Sequence, residues 1–473
     1  MEKERNRWQP VALAALAAGV LLRLWFLKHA PSVSGDSLVY GGIAKNWMTR
    51  GVYGFYGDGS GGISPTLIRL PGYPMFLAVC FKLFGLEHYN AVRYVQVAID
   101  LVTCWLCGSV AGRLLGRRAG FAALWLAVLC PFTANYAATP LTETLVLTTI
   151  TTAFYGFLRW REAGAAFNVW LWVSGAAMGY SLLLRPEQGL LAASLLPPMA
   201  WVALRARRSL VSVAACAACV VLPLVPWTVR NWQTFHVFEP LAPRYANDPG
   251  EVAPLGFARW YRTWSIEFSS TDEVYWNYNA DAINPAMLPA RAFQADSAIA
   301  NESLRQQTLD VLRRYNQTAQ QTPESEAGFA GLAGERVKAH PLQYYLLLPL
   351  ARLADMTLRP RTEMMAVPLE WWRWREHRRV SLLAGAYAAV NLLYLAMGVV
   401  GFWRWRRSRF GPAPQLVWAM AATVVLRCAL LLTIDNSEPR YTLEFFPAIF
   451  VCASALFMRA NATSAGKAAA RSE

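Results

Sequence analysis

Apolar runs recur along this chain at close to the length at which a helix crosses a bilayer, and they constrain the fold more than any other feature. They occupy 9–29, 91–112, 119–136, 142–158, 167–184, 188–203, 209–227, 380–402, 414–433 and 441–458. A spanning helix needs about 20 mostly apolar residues. Several runs lie near the short limit, so tilt or local thinning of the bilayer is expected. Of 473 residues, 55% are hydrophobic and 16% charged, against roughly 25% charged in soluble domains. The fold class is mainly α: a polytopic transmembrane helical protein with about ten spans.

The net charge is +15. The excess sits in short loops between apolar runs, which is the positive-inside pattern and argues against nucleic acid as a partner. Clusters lie at Lys3/Arg5/Arg7, Arg113/Arg117/Arg118, Arg159/Arg161, Arg205/Arg207/Arg208 and Arg404/Arg406/Arg407/Arg409, with Arg459, Lys467 and Arg471 in the tail. Placing these clusters in the cytoplasm puts 30–90, 136–142, 184–188 and 228–379 on the other face. Tryptophans at run ends (Trp160, Trp170, Trp371, Trp372, Trp374) suit an interfacial aromatic belt. The basic N-terminus followed by a long apolar run reads as an uncleaved anchor.

Three units follow. Residues 1–230 form an N-terminal transmembrane module with a first outer loop at 30–90. Residues 231–379 form an extracytoplasmic, mainly helical domain with an interfacial helix at 341–358. Residues 380–473 hold the C-terminal spans and a basic tail. Segment 341–358 is apolar enough to be tested as a span, which would turn the 404–409 cluster outward, but it carries Arg352 and Asp355, which suits a helix lying in the interface. The apolar piece 71–85 is too short to span comfortably and is placed on the surface or as a re-entrant helix.

All eight cysteines fall in or beside apolar segments. Two pairs, Cys104/Cys107 and Cys216/Cys219, have C-x-x-C spacing, but neither has a nearby histidine. They read as packing residues rather than a zinc or redox centre.

Asp36 and Glu143 are the candidate chemical residues. Asp36 follows the first run closely, at headgroup depth, where an ionisable group is costly and often functional. The competing reading is a helix cap by Asp36 or Ser34. Glu143 stands at the same face and could equally belong to a capping box with Thr139 or Thr142. Lys45, Arg69, Arg185, Arg230 and Arg440 share that face, which should be arginine-poor. Arginine binds phosphate bidentately, while headgroup contact or snorkelling is the alternative use of each.

The first outer segment reads GDSLVYGGIAKNWMTRGVYGF, then PTLIRLPGYPMFLAVCFKLFG. LTETL around Glu143, LLLRPEQGLLA around Arg185, PWTVRNW around Arg230 and EPRYTLEFFPA around Arg440 follow in order. Together these resemble the lipid-carrier-dependent glycosyltransferases of the C fold, most closely the bacterial branch related to protein O-mannosyltransferases and lipid A aminoarabinose transferase. The resemblance implies that Asp36 is the catalytic first-loop aspartate, that Glu143 is the second acid, that Arg69 lies near the donor phosphate and that Tyr40 is the loop aromatic. Tyr73, of the Pro-Gly-Tyr-Pro bend, and Tyr441 complete a substrate-binding set with Lys45, Arg185, Arg230 and Arg440. Ser37 stands where many relatives have glutamate, and Val39 where some have arginine.

The implied reaction transfers a sugar from a polyprenyl-phosphate carrier to a lipid, glycan or protein acceptor, with inversion. The implied site is the periplasmic or outer face of a bacterial inner membrane. A carboxylate would deprotonate the acceptor, and arginines would stabilise the departing phosphate. No cofactor is required, because only one phosphate needs neutralising, and no H-E-x-x-H or similar spacing supports a divalent metal. The alternatives are a polytopic transporter or lipid flippase, which would usually show repeated halves or broken helices, and a non-catalytic membrane assembly protein.

Overall fold

The computed structural model describes residues 2–29, 33, 35–56, 62–294, 298–408 and 411–458. Ser34 and the tail residues Arg459, Lys467 and Arg471 lie outside the described residues. Every apolar run becomes helix. The first gives α1 (Glu2–His29). The loop after it holds α2 (Gly35–Arg50), a hairpin of β1 (Gly54–Tyr56) and β2 (Ile63–Pro65), and α3 (Gly72–Phe84). Then come α4 (Tyr89–Leu115), α5 (Arg117–Val128), α6 (Pro131–Ala137), α7 (Glu143–Ala163), α8 (Val169–Leu184) and α9 (Gly189–Arg205). The next run is divided between α10 (Leu210–Val221) and α11 (Leu224–Phe235).

By length and apolarity alone, six helices among the described residues qualify as spans, and the bent α5–α6 pair, kinked by 56°, makes a seventh. The remaining apolar runs form α7, α8 and α9, of 21, 16 and 17 residues. At about 1.5 Å per residue α7 is long enough for a bilayer core of about 30 Å, while α8 and α9 are short for it.

Close approach of small residues joins the membrane helices. A Cβ on Gly120 of α5 would stand 2.8 Å from the Cα of Gly112 in α4, so glycine is what lets these backbones meet. A buried ion pair ties α1 to α4. Arg23 Nε donates to Asp100 Oδ2 at 2.6 Å, and the same guanidinium donates to the Val128 carbonyl at 2.7 Å. Charges inside apolar runs persist only when paired and hydrogen-bonded in this way.

α3 is a helix of 13 residues, too short to cross. Its Met75, Val79 and Leu83 are exposed at i,i+4 spacing, while Tyr73, Leu77 and Cys80 are buried. A Cβ on Gly72 would lie 2.6 Å from the Leu183 backbone, and Tyr180 donates to the Gly72 carbonyl at 3.0 Å. The start of α3 is therefore pinned to the end of α8.

The polar segment between α11 and the last spans has its own core. It contains α12 (Leu255–Arg262), a short turn of helix α13 (Phe268–Ser270), α14 (Ala298–Asn316) and α15 (Pro323–Ala339). Phe257, Trp260, Tyr261, Trp264, Leu312 and Phe329 fill the space between them. Segment 341–358 forms a π-turn at Gln343–Leu347 running into α16 (Leu348–Leu358). Leu342, Tyr345, Leu346 and Leu350 are exposed on it, while Tyr344, Arg352 and Met356 face inward. Arg352 donates to the Arg262 and Ser265 carbonyls at 3.2 and 3.1 Å. One face is thus apolar and open and the other docked. The chain ends through α17 (Arg378–Arg407), α18 (Pro414–Leu431), a 3-10 turn at Pro439–Phe445 and α19 (Phe446–Ser454).

All eight cysteines are free.

Candidate active site

The ends of α2, α7 and α8 and the turn before α19 converge on a cavity of about 1750 Å³. Asp36 sits in the first turn of α2. Its neighbour Ser37 donates to the Pro140 carbonyl at 2.8 Å, which docks α2 beside the turn that leads to Glu143. That turn is shaped from α4, where Gln96 donates to the Thr139 carbonyl at 2.8 Å and Arg93 to the Ala138 carbonyl at 2.6 Å.

Two arginines hold Asp36. Arg440 Nη1 donates to Oδ2 at 2.8 Å, and Arg69 Nη2 lies 3.5 Å from Oδ1. Burial alone would raise the Asp36 pKa, but Arg440 and then Arg69 outweigh it and bring the carboxyl down to about 2. Arg69 is placed by its backbone, since Tyr53 donates from its hydroxyl to the Arg69 carbonyl at 2.9 Å.

Glu143 opens α7 and is bonded to Arg185 at the C-terminal end of α8. Arg440 Nε lies 3.8 Å from Glu143 Oε1, so one guanidinium bridges the two candidate acids. They are not equivalent. The Asp36 side chain is 28% exposed and lines the cavity, whereas that of Glu143 is 2% exposed and lies behind the arginines.

The network continues through residues that sequence reasoning missed. Arg440 also pairs with Glu438. Arg185 reaches Glu187 at 4.0 Å and Glu444 at 3.7 Å, and Arg427 reaches the same two at 3.4 and 2.9 Å. Burial, with Asp36 and Glu143 nearby, pushes the Glu438 carboxyl up despite Arg440. Glu187, Glu438 and Glu444 stood inside the sequence motifs already singled out. Arg427 carried its own signal, an arginine within the apolar run 414–433.

The remaining candidates divide by geometry. Tyr40 and Tyr441 line the cavity, as do Arg69, Arg185 and Arg440. Tyr40 is one helical turn from Asp36, with the Arg69 guanidinium 5.8 Å from its ring centre. Tyr73 is buried beneath, edge-on to Tyr40 at 5.1 Å, and donates to Gln96 at 2.6 Å. Lys45 is a correction: it pairs with Glu87 at 2.7 Å and does not line the cavity. It follows Asp36 by nine residues of α2, which at about 100° per residue turns it to the opposite face. Arg230 is the second correction. It donates to the Thr66 and Tyr53 carbonyls at 2.7 and 2.9 Å, boxed by Tyr53, Trp227 and Phe235. Its charge satisfies the backbone of the first loop instead of facing the cavity. Among the described residues, no group of three or more His, Cys, Asp or Glu side chains is placed to hold a metal ion.

A mainly helical, polytopic membrane protein with a charged cavity at the helix ends is the class that this architecture defines. Residues 68–229 match the family model described as dolichyl-phosphate-mannose-protein mannosyltransferase. The matched stretch contains Arg69, Glu143 and Arg185, with Asp36 and Arg440 beyond its ends. Among solved structures, the chain is similar to ArnT from Cupriavidus metallidurans bound to undecaprenyl phosphate. The identity is 15%, covering 94% of this chain and 77% of that one, with a TM-score of 0.39. It is also similar to the Archaeoglobus fulgidus oligosaccharyltransferase tethered with an acceptor peptide. There the identity is 10%, covering 95% of this chain and 50% of that one, with a TM-score of 0.49. The chain therefore spans about half the length of that oligosaccharyltransferase. No curated protein matches. Over residues 68–229 the family match agrees with the resemblance to C-fold membrane glycosyltransferases seen in the sequence.

Proposed function

We propose that this chain transfers a sugar from a polyprenyl-phosphate carrier to an acceptor hydroxyl or amine on the extracytoplasmic face of the membrane, with inversion at the anomeric carbon. The observation that carries this reading is Asp36, exposed to the cavity and clasped by Arg440 and Arg69.

In that reaction the acceptor oxygen or nitrogen forms a bond to the anomeric carbon, and the bond from that carbon to the phosphate oxygen breaks. The phosphate leaves with the electron pair, and the acceptor proton passes to Asp36. A carboxylate near pKa 2 is a weak base for this task. The donor phosphate corrects that by competing for the same two guanidiniums. As Arg69 and Arg440 turn to phosphate oxygens, the charges that depress Asp36 are shared and its basicity rises. Phosphate binding and base activation are then one event. Glu143 acts as a positioning residue, since it holds Arg185 and approaches Arg440 without reaching the cavity. Arginine charge neutralises the leaving group, so the mechanism has no need of a metal.

The test is transfer of labelled sugar from a polyprenyl-phosphate carrier by the purified protein in lipid nanodiscs, with and without EDTA. The expected result is transfer that EDTA leaves unaltered. In proteoliposomes, carrier that crosses the bilayer without sugar transfer would instead identify a flippase.

A further inference from the structure

We propose that the part of the cavity wall formed by Tyr245, Asp272, Tyr275, Trp276 and Asp435 is a saccharide-acceptor subsite, so that a carbohydrate hydroxyl receives the sugar. This rests on the transfer reading above and assigns its acceptor class.

All five residues line the same cavity as Asp36. This wall is tied to the donor end through Thr271. Thr271 donates from its hydroxyl to the Ser437 carbonyl at 3.2 Å, and the Ser437 amide donates back at 3.1 Å. Ser437 is three residues before Arg440, which holds Asp36.

Trp276 is exposed, Tyr245 and Tyr275 are half-buried, and the rings are braced by their neighbours. Trp276 is 43% exposed, braced edge-on by Phe268 with ring centres 5.5 Å apart. Tyr275 packs against Tyr261 at 5.1 Å, a member of the core of the polar segment. The polar groups are equally fixed. Asp435 is held between Arg244 at 3.3 Å and Arg262 at 3.6 Å, and Arg244 covers the Tyr245 ring at 5.4 Å. Asp272 has no ion pair among the described residues, and burial raises its pKa.

A sugar ring presents one face of C–H groups and a rim of hydroxyls. Aromatic faces with negative quadrupoles suit the first, and fixed carboxylate and guanidinium pairs suit the second. A peptide acceptor would be better served by a strand edge that pairs with its main chain. The sheet found among the described residues, β1 with β2, contributes nothing to the cavity lining.

The experiment uses the full chain in nanodiscs. Saturation-transfer NMR is recorded with methyl disaccharides of mannose, galactose and arabinose, and with a Ser/Thr-rich peptide. Stabilisation by undecaprenyl phosphate is measured in parallel by thermal shift. The proposal expects a signal from at least one disaccharide. Trp276→Ala should weaken it by roughly 10-fold, as lost ring stacking implies. Trp276→Phe should weaken it less, and Asp272→Asn should also reduce it. Undecaprenyl phosphate should stabilise every variant as it does the parent, which shows that each is folded and that the donor end is intact. A signal from the peptide alone, or disaccharide binding unaffected by Trp276→Ala, overturns the proposal. Failure of undecaprenyl phosphate to stabilise the parent chain would strike the donor reading, leaving the saccharide result to be read by itself.

Discussion

The pairing of Arg69 and Arg440 on one carboxylate has consequences for single substitutions. Arg69 is expected to contact the donor phosphate once Asp36 releases it. Charge-assisted hydrogen bonds of this kind contribute about 1.5–3 kcal/mol each. Part of that appears only as charge builds on the leaving oxygen, so Arg69→Ala should lower kcat as well as raise KM for the carrier. Lysine should rescue only in part, because it keeps the charge and loses the planar fork. If Arg69→Ala lowers thermal stability and leaves the kinetic constants of the surviving protein unchanged, the residue only anchors the loop. Glu438 makes a second prediction. Its carboxyl is pushed up by burial, against Arg440, with Asp36 and Glu143 adding to the rise, so at a given pH more of it is protonated than of a free carboxyl. Protonation removes a negative charge beside the incoming phosphate. Carrier affinity should therefore weaken as pH rises through the Glu438 pKa, and Glu438→Gln should flatten that dependence. Titration of undecaprenyl phosphate binding against pH checks this, and an identical slope in the variant contradicts it.

Elements were legible where their signal is one-dimensional. A long apolar run announces a membrane helix, and all such runs in this chain became helix. Pro323 marks the start of α15, where it occupies the first turn. What a run end discloses is depth, not direction around the axis. Lys45 and Tyr40 stand on the same short helix as Asp36, yet only Tyr40 shares its face. Asp36 pairs with Arg440 across most of the chain, and no local pattern shows such a partner. Arg230 illustrates the same limit: its depth suits phosphate binding, but the loop carbonyls of Tyr53 and Thr66 occupy it. Arg230→Ala should accordingly lower thermal stability by about 2 kcal/mol, with kcat of the folded protein close to that of the parent. A raised KM for the carrier without loss of stability would return Arg230 to the substrate.

At the scale of the molecule, the arginine clusters and the cavity together imply one orientation. The loops at 113–118 and 404–409 should face the cytoplasm and the polar segment after α11 should face outward. Asp281 and Ser408 are exposed, so single cysteines placed there, in a background without native cysteines, are accessible to an impermeant reagent. Labelling at 281 and not at 408 in intact cells is expected; the reverse pattern would invert the topology and place the cavity in the cytoplasm. The central claim, however, is that Asp36 takes the acceptor proton in an arginine-bound donor site. Asp36→Asn keeps shape and hydrogen-bonding capacity while removing the basic oxygen. The most direct measurement is single-turnover transfer from a labelled polyprenyl-phosphate sugar by the parent and by Asp36→Asn, with undecaprenyl phosphate stabilisation confirming that both bind the carrier. The account predicts a fall of roughly 10²–10⁴-fold in the transfer rate with carrier binding kept; transfer by Asp36→Asn at the parental rate would contradict it.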